Sequence, residues 1–106
     1  MKYNGRKVTK VTELEMRFLR DVEGSDHSSD GHGICAWIEP LYFSMPMRQV
    51  RGVMTTLTAK GVITVTPPEP QYGMPYSYVA VDDKYMTIST DPKSWSGYDY
   101  CNLEMA

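Results

Sequence analysis

Residues 44–66, SMPMRQVRGVMTTLTAKGVITVT, change their hydrophobic period part-way along and so predict a helix followed by a β-strand. Ser44 is a good helix N-cap, Pro46 suits a first helical turn, and Gly61 is a typical stop. Between these ends, apolar side chains recur at helical spacing and predict a core-facing stripe of Met47, Val50, Val53, Met54 and Leu57. After Gly61, residues 62–66 are all β-branched, as in a strand.

A second strand is predicted to return beside the first. Residues 67–75 carry three prolines before Gln71 and Gly73 after it, so they cannot continue a strand ladder and are predicted to be a loop. Residues 76–81 alternate again between the two faces of a strand. The pair is therefore predicted to be a hairpin with a long tip.

One helix is predicted upstream of this unit. Thr12 followed by Glu15 forms a capping-box pattern, and Gly24 ends the segment. Its apolar face consists of Leu14, Phe18, Leu19 and Val22. Residues 24–33 are rich in turn formers and contain no apolar residue, which predicts an exposed loop.

Residues 34–43 are ambiguous, because a short apolar run that contains Pro40 suits either a short helix or an extended piece. We predict a short second helix over residues 36–42, since the helix predicted over residues 46–60 would need a partner in a helix-turn-helix.

The size of the chain predicts one small domain with one core. It has 106 residues, of which 42% are apolar and 23% charged. We divide it into a basic arm over residues 1–11, a folded domain over 12–86 and a C-terminal extension over 87–106 that packs on the domain or at a dimer interface. No apolar run suits a membrane span or a secretory leader, so we expect a cytoplasmic protein. Cys35 and Cys101 are far apart in sequence and are predicted to be reduced.

The charge is unevenly distributed, although the net charge is only −2. Residues 1–10 carry four bases and no acid, whereas residues 11–39 carry seven acids against two arginines. Residues 40–68 contain no acid at all, only Arg48, Arg51 and Lys60. This pattern predicts a basic patch on an acidic body.

Residues 47–63, MRQVRGVMTTLTAKGVI, resemble the junction between recognition helix and wing strand in winged helix-turn-helix proteins such as the MarR-like repressors. The resemblance is strongest over 44–66 and extends over about 12–86. It implies an α+β fold with about three helices and a two- to three-stranded antiparallel sheet. It also implies transcription regulation through sequence-specific binding to double-stranded DNA, often as a homodimer.

The exposed face of the predicted helix supplies the candidate DNA contacts. At 100° per residue, the exposed side of the helix, away from Val50, carries arginines that can bind a phosphate or a guanine edge and threonines that can bind a base or the DNA backbone. It also carries small residues, which would let the helix approach the DNA closely. A mid-helix glycine costs about 1 kcal/mol against alanine, so Gly52 suggests such an approach. The candidates on the helix are Arg48, Gln49, Arg51, Gly52, Thr55, Thr56 and Lys60. Arg6 and Lys7 in the arm are candidate phosphate contacts.

A second reading makes the protein a non-enzymatic interaction module, for instance a phage or mobile-element protein that inhibits a host system. The predicted wing tip carries Glu69 and no base, and it exposes Tyr72, Met74 and Tyr76, which are residue types favoured at protein interfaces.

Neither catalysis nor a cofactor is expected. The chain shows no nucleophile with an evident base and no phosphate-binding glycine loop. Zinc-ligand types cluster within ten residues, namely Asp26, His27, Asp30, His32 and Cys35. Their spacing does not define a tetrahedral site, and solvated turns commonly have this composition, so no metal is predicted while the question stays open.

Overall fold

The computed structural model describes residues 2–3, 6–25, 27–28 and 33–106, with the backbone alone at residues 2, 3, 6 and 7. This part of the chain has an α+β fold with two α-helices, α1 (Glu13–Glu23) and α2 (Met47–Ala59). Its strands are β1 (Lys2–Tyr3), β2 (Arg6–Lys7), β3 (Thr9–Val11), β4 (Cys35–Trp37), β5 (Ile63–Thr66), β6 (Tyr78–Val81), β7 (Met86–Ile88), β8 (Tyr98–Tyr100) and β9 (Leu103–Met105). The 3-10 helices are Pro40–Tyr42, Pro70–Tyr72 and Asp83–Tyr85.

Helix α1 begins with the predicted capping box. The Glu15 backbone N–H donates to the Thr12 hydroxyl at 3.1 Å, and the Thr12 N–H donates to the Glu15 carboxylate at 2.8 Å. Phe18 and its apolar neighbours on the predicted face are fully buried, but Leu14 is 39% exposed. Leu14 was therefore wrongly assigned to the buried stripe, because it lies in the first turn, at the margin of the core.

Helix α2 follows the sequence prediction except at its first turn. Pro46 is the N-cap, and Ser44 instead donates both its backbone N–H and its hydroxyl to the Asp21 carboxylate at 2.9 Å each. Ser44 therefore ties the start of α2 to α1. At the other end Gly61 adopts a φ of +76°, the left-handed conformation that commonly stops a helix.

The predicted second helix over residues 36–42 is wrong. Strand β4 occupies its first part and the 3-10 helix Pro40–Tyr42 its last, so the described chain has two α-helices instead of three. The physical reason is that β4 pairs with β6, with Ala36 opposite Val79, and the Ile38 N–H donates to the Ser77 carbonyl at 2.9 Å. An isolated helix of so few residues would have been marginal, whereas this pairing satisfies the backbone.

The predicted hairpin is confirmed. Strands β5 and β6 pair antiparallel, from Ile63 opposite Val81 to Thr66 opposite Tyr78, and β4 adds a third strand in the order β4-β6-β5. The hairpin loop closes through two backbone hydrogen bonds between Glu69 and Met74, of 2.7 and 3.1 Å. The wing tip, which we define as residues 67–77, is therefore structured.

Two strands from opposite parts of the sequence, β3 and β9, lie side by side. Strand β9 pairs in parallel with β3, and Val11 in β3 is fully buried. Strands β7 and β8 form a second hairpin, from which the Tyr100 hydroxyl donates to the Leu19 carbonyl and the Trp95 indole N–H donates to the Ser25 carbonyl at 2.8 Å. The C-terminal segment thus packs on the domain, and part of the segment read as an arm is a strand.

One core joins α1, α2 and the inner face of the three-stranded sheet. Its buried members include Phe18, Leu19, Ile34, Val50, Leu57, Val62, Ile63 and Val79. Both cysteines are free, as predicted. Within the described chain, no helix is long and apolar enough to cross a membrane.

Candidate nucleic-acid interface

Helix α2 presents one face to the core and the opposite face to solvent. Val50 and Leu57 are fully buried and Val53 nearly so, whereas Met54 is half-buried at the edge of this stripe. The opposite side forms a ridge along the helix, which consists of Arg48, Gly52, Thr55 and Ala59, all exposed. We call these four residues the α2 ridge. The predicted inward and outward faces of the helix are therefore confirmed.

The two arginines of α2 are available for an external ligand. Arg48 and Arg51 are both exposed, and no carboxylate in the described chain lies within 4.0 Å of either guanidinium. The helix itself contains no acid. An arginine without an internal partner keeps its donors for phosphate oxygens or for the acceptor edge of guanine.

Gly52 is not required by packing inside the protein. A Cβ atom built at this position would meet nothing within 4 Å, and the residue lies in the middle of a regular helix. Alanine would fit and would favour the helix by about 1 kcal/mol. An external surface that approaches the backbone closely would account for the glycine.

The hydroxyl groups of α2 bond back to their own helix. Thr55 donates to the Arg51 carbonyl at 3.0 Å, and Thr58 donates to the Met54 carbonyl at 2.7 Å. Because each hydroxyl proton is used in this way, the oxygen presents lone pairs outward. Thr55 on the ridge is therefore arranged as an acceptor, which suits an amino group on a base better than it suits a phosphate.

Two of the predicted DNA contacts instead form an internal cluster with Glu15. The Lys60 ammonium donates to the Glu15 carboxylate at 2.6 Å and to the Lys10 carbonyl at 2.9 Å, and the Thr56 hydroxyl donates to the second carboxylate oxygen. Burial would raise the pKa of Glu15, but the hydrogen bonds from Lys60, Thr56 and the Thr12 N–H outweigh it and hold that pKa below its ordinary 4.5. Glu15 is therefore ionised at neutral pH and neutralises Lys60.

Sequence reasoning missed this cluster. Glu15 was identified as a capping residue, and that role is real, but its partners on α2 lie 41 and 45 residues away. No local pattern in the sequence carries a contact between two helices at that separation.

The α2 ridge stands between two shallow grooves. One, of about 400 Å³, separates it from the start of α1 and is lined by Leu14, Gln49 and Val53 among others. The other, of about 380 Å³, lies toward β5 and is lined by Arg51 and Val65 among others. Gln49 and Arg51 therefore flank the ridge on opposite sides, and the ridge protrudes between the two grooves.

The arm residues can be placed only in part. Arg6 and Lys7 form strand β2, but their side chains lie outside the described residues, so their relation to α2 is left as predicted.

The wing tip has the exposure that its composition predicts. Tyr72 is 72% exposed, Met74 41% and Tyr76 39%. The tip contains Glu69 and no basic residue. It is therefore an apolar and mildly acidic surface, distinct in chemistry from the α2 ridge.

The zinc-ligand types of residues 24–35 are only partly visible. Asp26, Asp30 and His32 lie outside the described residues, and among the described ones no three His, Cys, Asp or Glu side chains are grouped to hold a metal ion. The Cys35 thiol is buried, 3.8 Å from the His27 carbonyl oxygen and 3.9 Å from that of Gly33. The His27 ring contacts Trp37 and Tyr78 edge to face.

Comparison with known proteins adds no relative: no family model, no curated protein and no solved structure matches this chain.

Proposed function

We propose that this protein is a winged-helix DNA-binding regulator that inserts α2 into the major groove of duplex DNA. The observation that carries the proposal is the exposed, acid-free outer side of α2, where the α2 ridge contains a glycine that packing does not require and where Arg48 and Arg51 have no ion-pair partner among the described residues. A helix with its side chains measures about 10–12 Å across, which matches the roughly 12 Å width of the major groove.

The residues of α2 would divide the work. Arg48 and Arg51 would bind phosphates or the O6 and N7 acceptors of guanine, and Gln49 would read adenine from the groove edge of the helix. Thr55 would accept from a base amino group, and Gly52 would let the backbone approach the bases.

Thr56 and Lys60 would have a supporting part. Because both bind Glu15, they would hold α2 against α1 and fix the angle at which the ridge meets DNA. The Lys60 charge is already neutralised, so it would add little to phosphate binding.

Salt dependence tests the electrostatic part of the proposal. We expect four phosphate contacts, from Arg48, Arg51 and two basic residues of the segment 1–10, for which Arg6 and Lys7 are the candidates. The logarithm of the binding constant plotted against the logarithm of the salt concentration should then have a slope of about −3 to −4. Fluorescence anisotropy with a mixed-sequence duplex at a series of salt concentrations measures this slope.

A pair of double variants supplies the matched control. Arg48→Ala with Arg51→Ala should abolish binding at moderate salt, whereas Arg17→Ala with Arg20→Ala removes the same charge from α1 and should leave binding nearly intact. Equal losses in the two variants would show that net charge, not the α2 ridge, governs binding. Failure to retain any duplex even at low salt would eliminate the proposal.

The resemblance to winged-helix repressors also leads us to propose a homodimer. Sedimentation velocity over a range of protein concentrations tests this, and a monomer at every concentration would contradict it.

A second candidate function is supported by the wing tip, where Tyr72 and its neighbours are exposed on a closed, hydrogen-bonded turn. Exposed tyrosine and methionine are favoured contacts in protein interfaces. A wing that binds DNA needs basic residues to contact phosphates, and this tip has none. In this role the protein would bind and inhibit a protein of its host. Capture from host lysate that is unchanged by Tyr72→Ser with Tyr76→Ser would count against it.

A further inference from the structure

A small cavity lies on the outer face of the three-stranded sheet, where β4 and β6 lead into the wing tip. Trp37 pairs with Tyr78, and the hydrogen bond from Ile38 to Ser77 carries this pairing one step further. Beyond that point Glu39 and Tyr76 come together as two walls of the cavity. The remaining lining residues are Trp37, Gly73, Met74 and Pro75.

The walls of this cavity suit a cation. Aromatic ring faces attract cations, and a carboxylate beside them adds direct charge attraction. Glu39 is half-buried, and within the described chain no side chain forms an ion pair or hydrogen bond with its carboxylate. The Trp37 ring is held edge to face by Tyr78, with ring centroids 4.8 Å apart. A positive group could thus meet a fixed aromatic ring and an uncompensated negative charge together.

The size of the cavity indicates a side chain as its occupant. Its volume is about 240 Å³, below the roughly 300–1,000 Å³ of pockets that hold drug-sized ligands or cofactors. A guanidinium is planar, stacks on aromatic faces and binds carboxylates through two donors, so it matches these walls better than the compact ammonium of lysine.

The wall contributed by the wing is held in place before any ligand arrives. Gly73 has a φ of +77° and ends the 3-10 turn, and the Glu69 to Met74 bridge closes the loop behind it. Pro75 restricts the chain further. The backbone of the wing tip would therefore lose little conformational freedom when a ligand binds.

We propose that this cavity binds an arginine side chain presented by a protein partner. The inference rests on the second candidate function, the wing as a protein contact, and gives that contact its chemistry.

The test uses the full-length, ¹⁵N-labelled protein and three blocked tripeptides, Gly-Arg-Gly, Gly-Lys-Gly and Gly-citrulline-Gly. We expect the arginine peptide to shift the Trp37 indole and Gly73 amide signals in a saturable way. The indole of Trp95, whose N–H is already bonded to Ser25, should stay unchanged and serves as the internal reference. The lysine peptide should bind more weakly, and the neutral citrulline peptide at least about fivefold more weakly, as expected for loss of one cation–π contact.

Two variants probe the two walls separately. Glu39→Gln keeps the shape and removes the charge, and Tyr76→Leu keeps an apolar wall and removes the ring; each should weaken the arginine peptide by about fivefold. Equal binding of the arginine and citrulline peptides, or wild-type affinity in both variants, would overturn the inference. So would shifts centred away from Trp37 and Gly73.

This failure is distinguishable from failure of the wing as a protein contact. The peptide titration needs no natural partner, so a cavity that rejects arginine refutes only the proposed chemistry. Conversely, host-protein capture that ignores Tyr72→Ser with Tyr76→Ser refutes the contact whatever the peptides do.

Discussion

Replacing Gly52 by alanine separates folding from DNA binding, because the two should respond with opposite signs. The added methyl group meets nothing within 4 Å, and the residue has ordinary helical backbone angles. Alanine should therefore stabilise the fold by about 1 kcal/mol through helix propensity alone. For a domain of this size, that corresponds to a rise in Tm of roughly 3–6 °C.

The same methyl group would stand on the α2 ridge, between the helix backbone and the bases. If the glycine permits close approach, Gly52→Ala should weaken duplex binding by about tenfold or more. That factor equals about 1.4 kcal/mol, within the roughly 1–3 kcal/mol carried by one good base contact. Thermal unfolding followed by circular dichroism and anisotropy titration of one duplex measure the two effects on the same sample.

Two further substitutions control this experiment. Gly61→Ala makes the same chemical change where φ is +76°, so it should destabilise the protein by roughly 1–2 kcal/mol. Ala59→Gly removes a methyl group from the ridge and should lower stability while retaining DNA binding. A Gly52→Ala protein that is more stable and binds DNA like the wild type would refute the close-approach argument. A less stable one would refute the helix argument itself.

Three other predictions concern stability. Lys60→Met leaves the buried Glu15 carboxylate without its cation and should cost about 1–3 kcal/mol in urea unfolding at neutral pH. Because the pKa of Glu15 in the folded protein lies below 4.5, its contribution to stability is fully present above pH 4.5 and is lost as the pH falls through the folded pKa. This loss of stability in acid should be smaller in Lys60→Met than in the wild type. An unchanged pH profile of stability would contradict the cluster. Burial, and secondarily a nearby carboxylate, raise the pKa of Tyr100 well above 10, so the stability of the fold should fall as the pH rises above 10. Tyr100→Phe should remove the part of this stability loss that comes from the Tyr100 hydroxyl, as measured by unfolding curves at alkaline pH. Removing residues 103–106 deletes the strand that pairs with β3 and should destabilise the protein by at least about 2 kcal/mol, which a wild-type urea midpoint would disprove.

The features that the sequence predicted correctly are those encoded locally. The capping box at Thr12, the apolar stripe of α2 and the left-handed Gly61 each depend on residues within a few positions of one another. The change from helical to strand period after Gly61 is equally local, and it located the hairpin. In the candidate site, the same periodicity separated the buried Val50 side of α2 from the exposed ridge.

The features that it missed depend on distant partners. Residues 35–37 form a strand because their backbone groups pair with β6, more than forty residues later in the sequence. A short apolar run does not by itself distinguish a strand from a helix. Likewise, the sequence predicts Lys60 to be free to bind DNA, whereas in the folded protein its ammonium binds the Glu15 carboxylate. The pairing of β3 with β9 joins opposite ends of the chain and has no local signal.

The register of the sheet also bears on whether two binding functions fit one small domain. Val79 and its partner Val65 point to the face shared with the core, and Val79 belongs to the same buried cluster as Val50 and Leu57 of α2. Trp37 and Tyr78 alternate to the opposite face, where the arginine cavity lies. The core therefore separates the cavity from the α2 ridge. A duplex on the ridge and a protein on the wing side would not compete for the same atoms, so binding of one should leave the affinity for the other unchanged unless the domain itself rearranges.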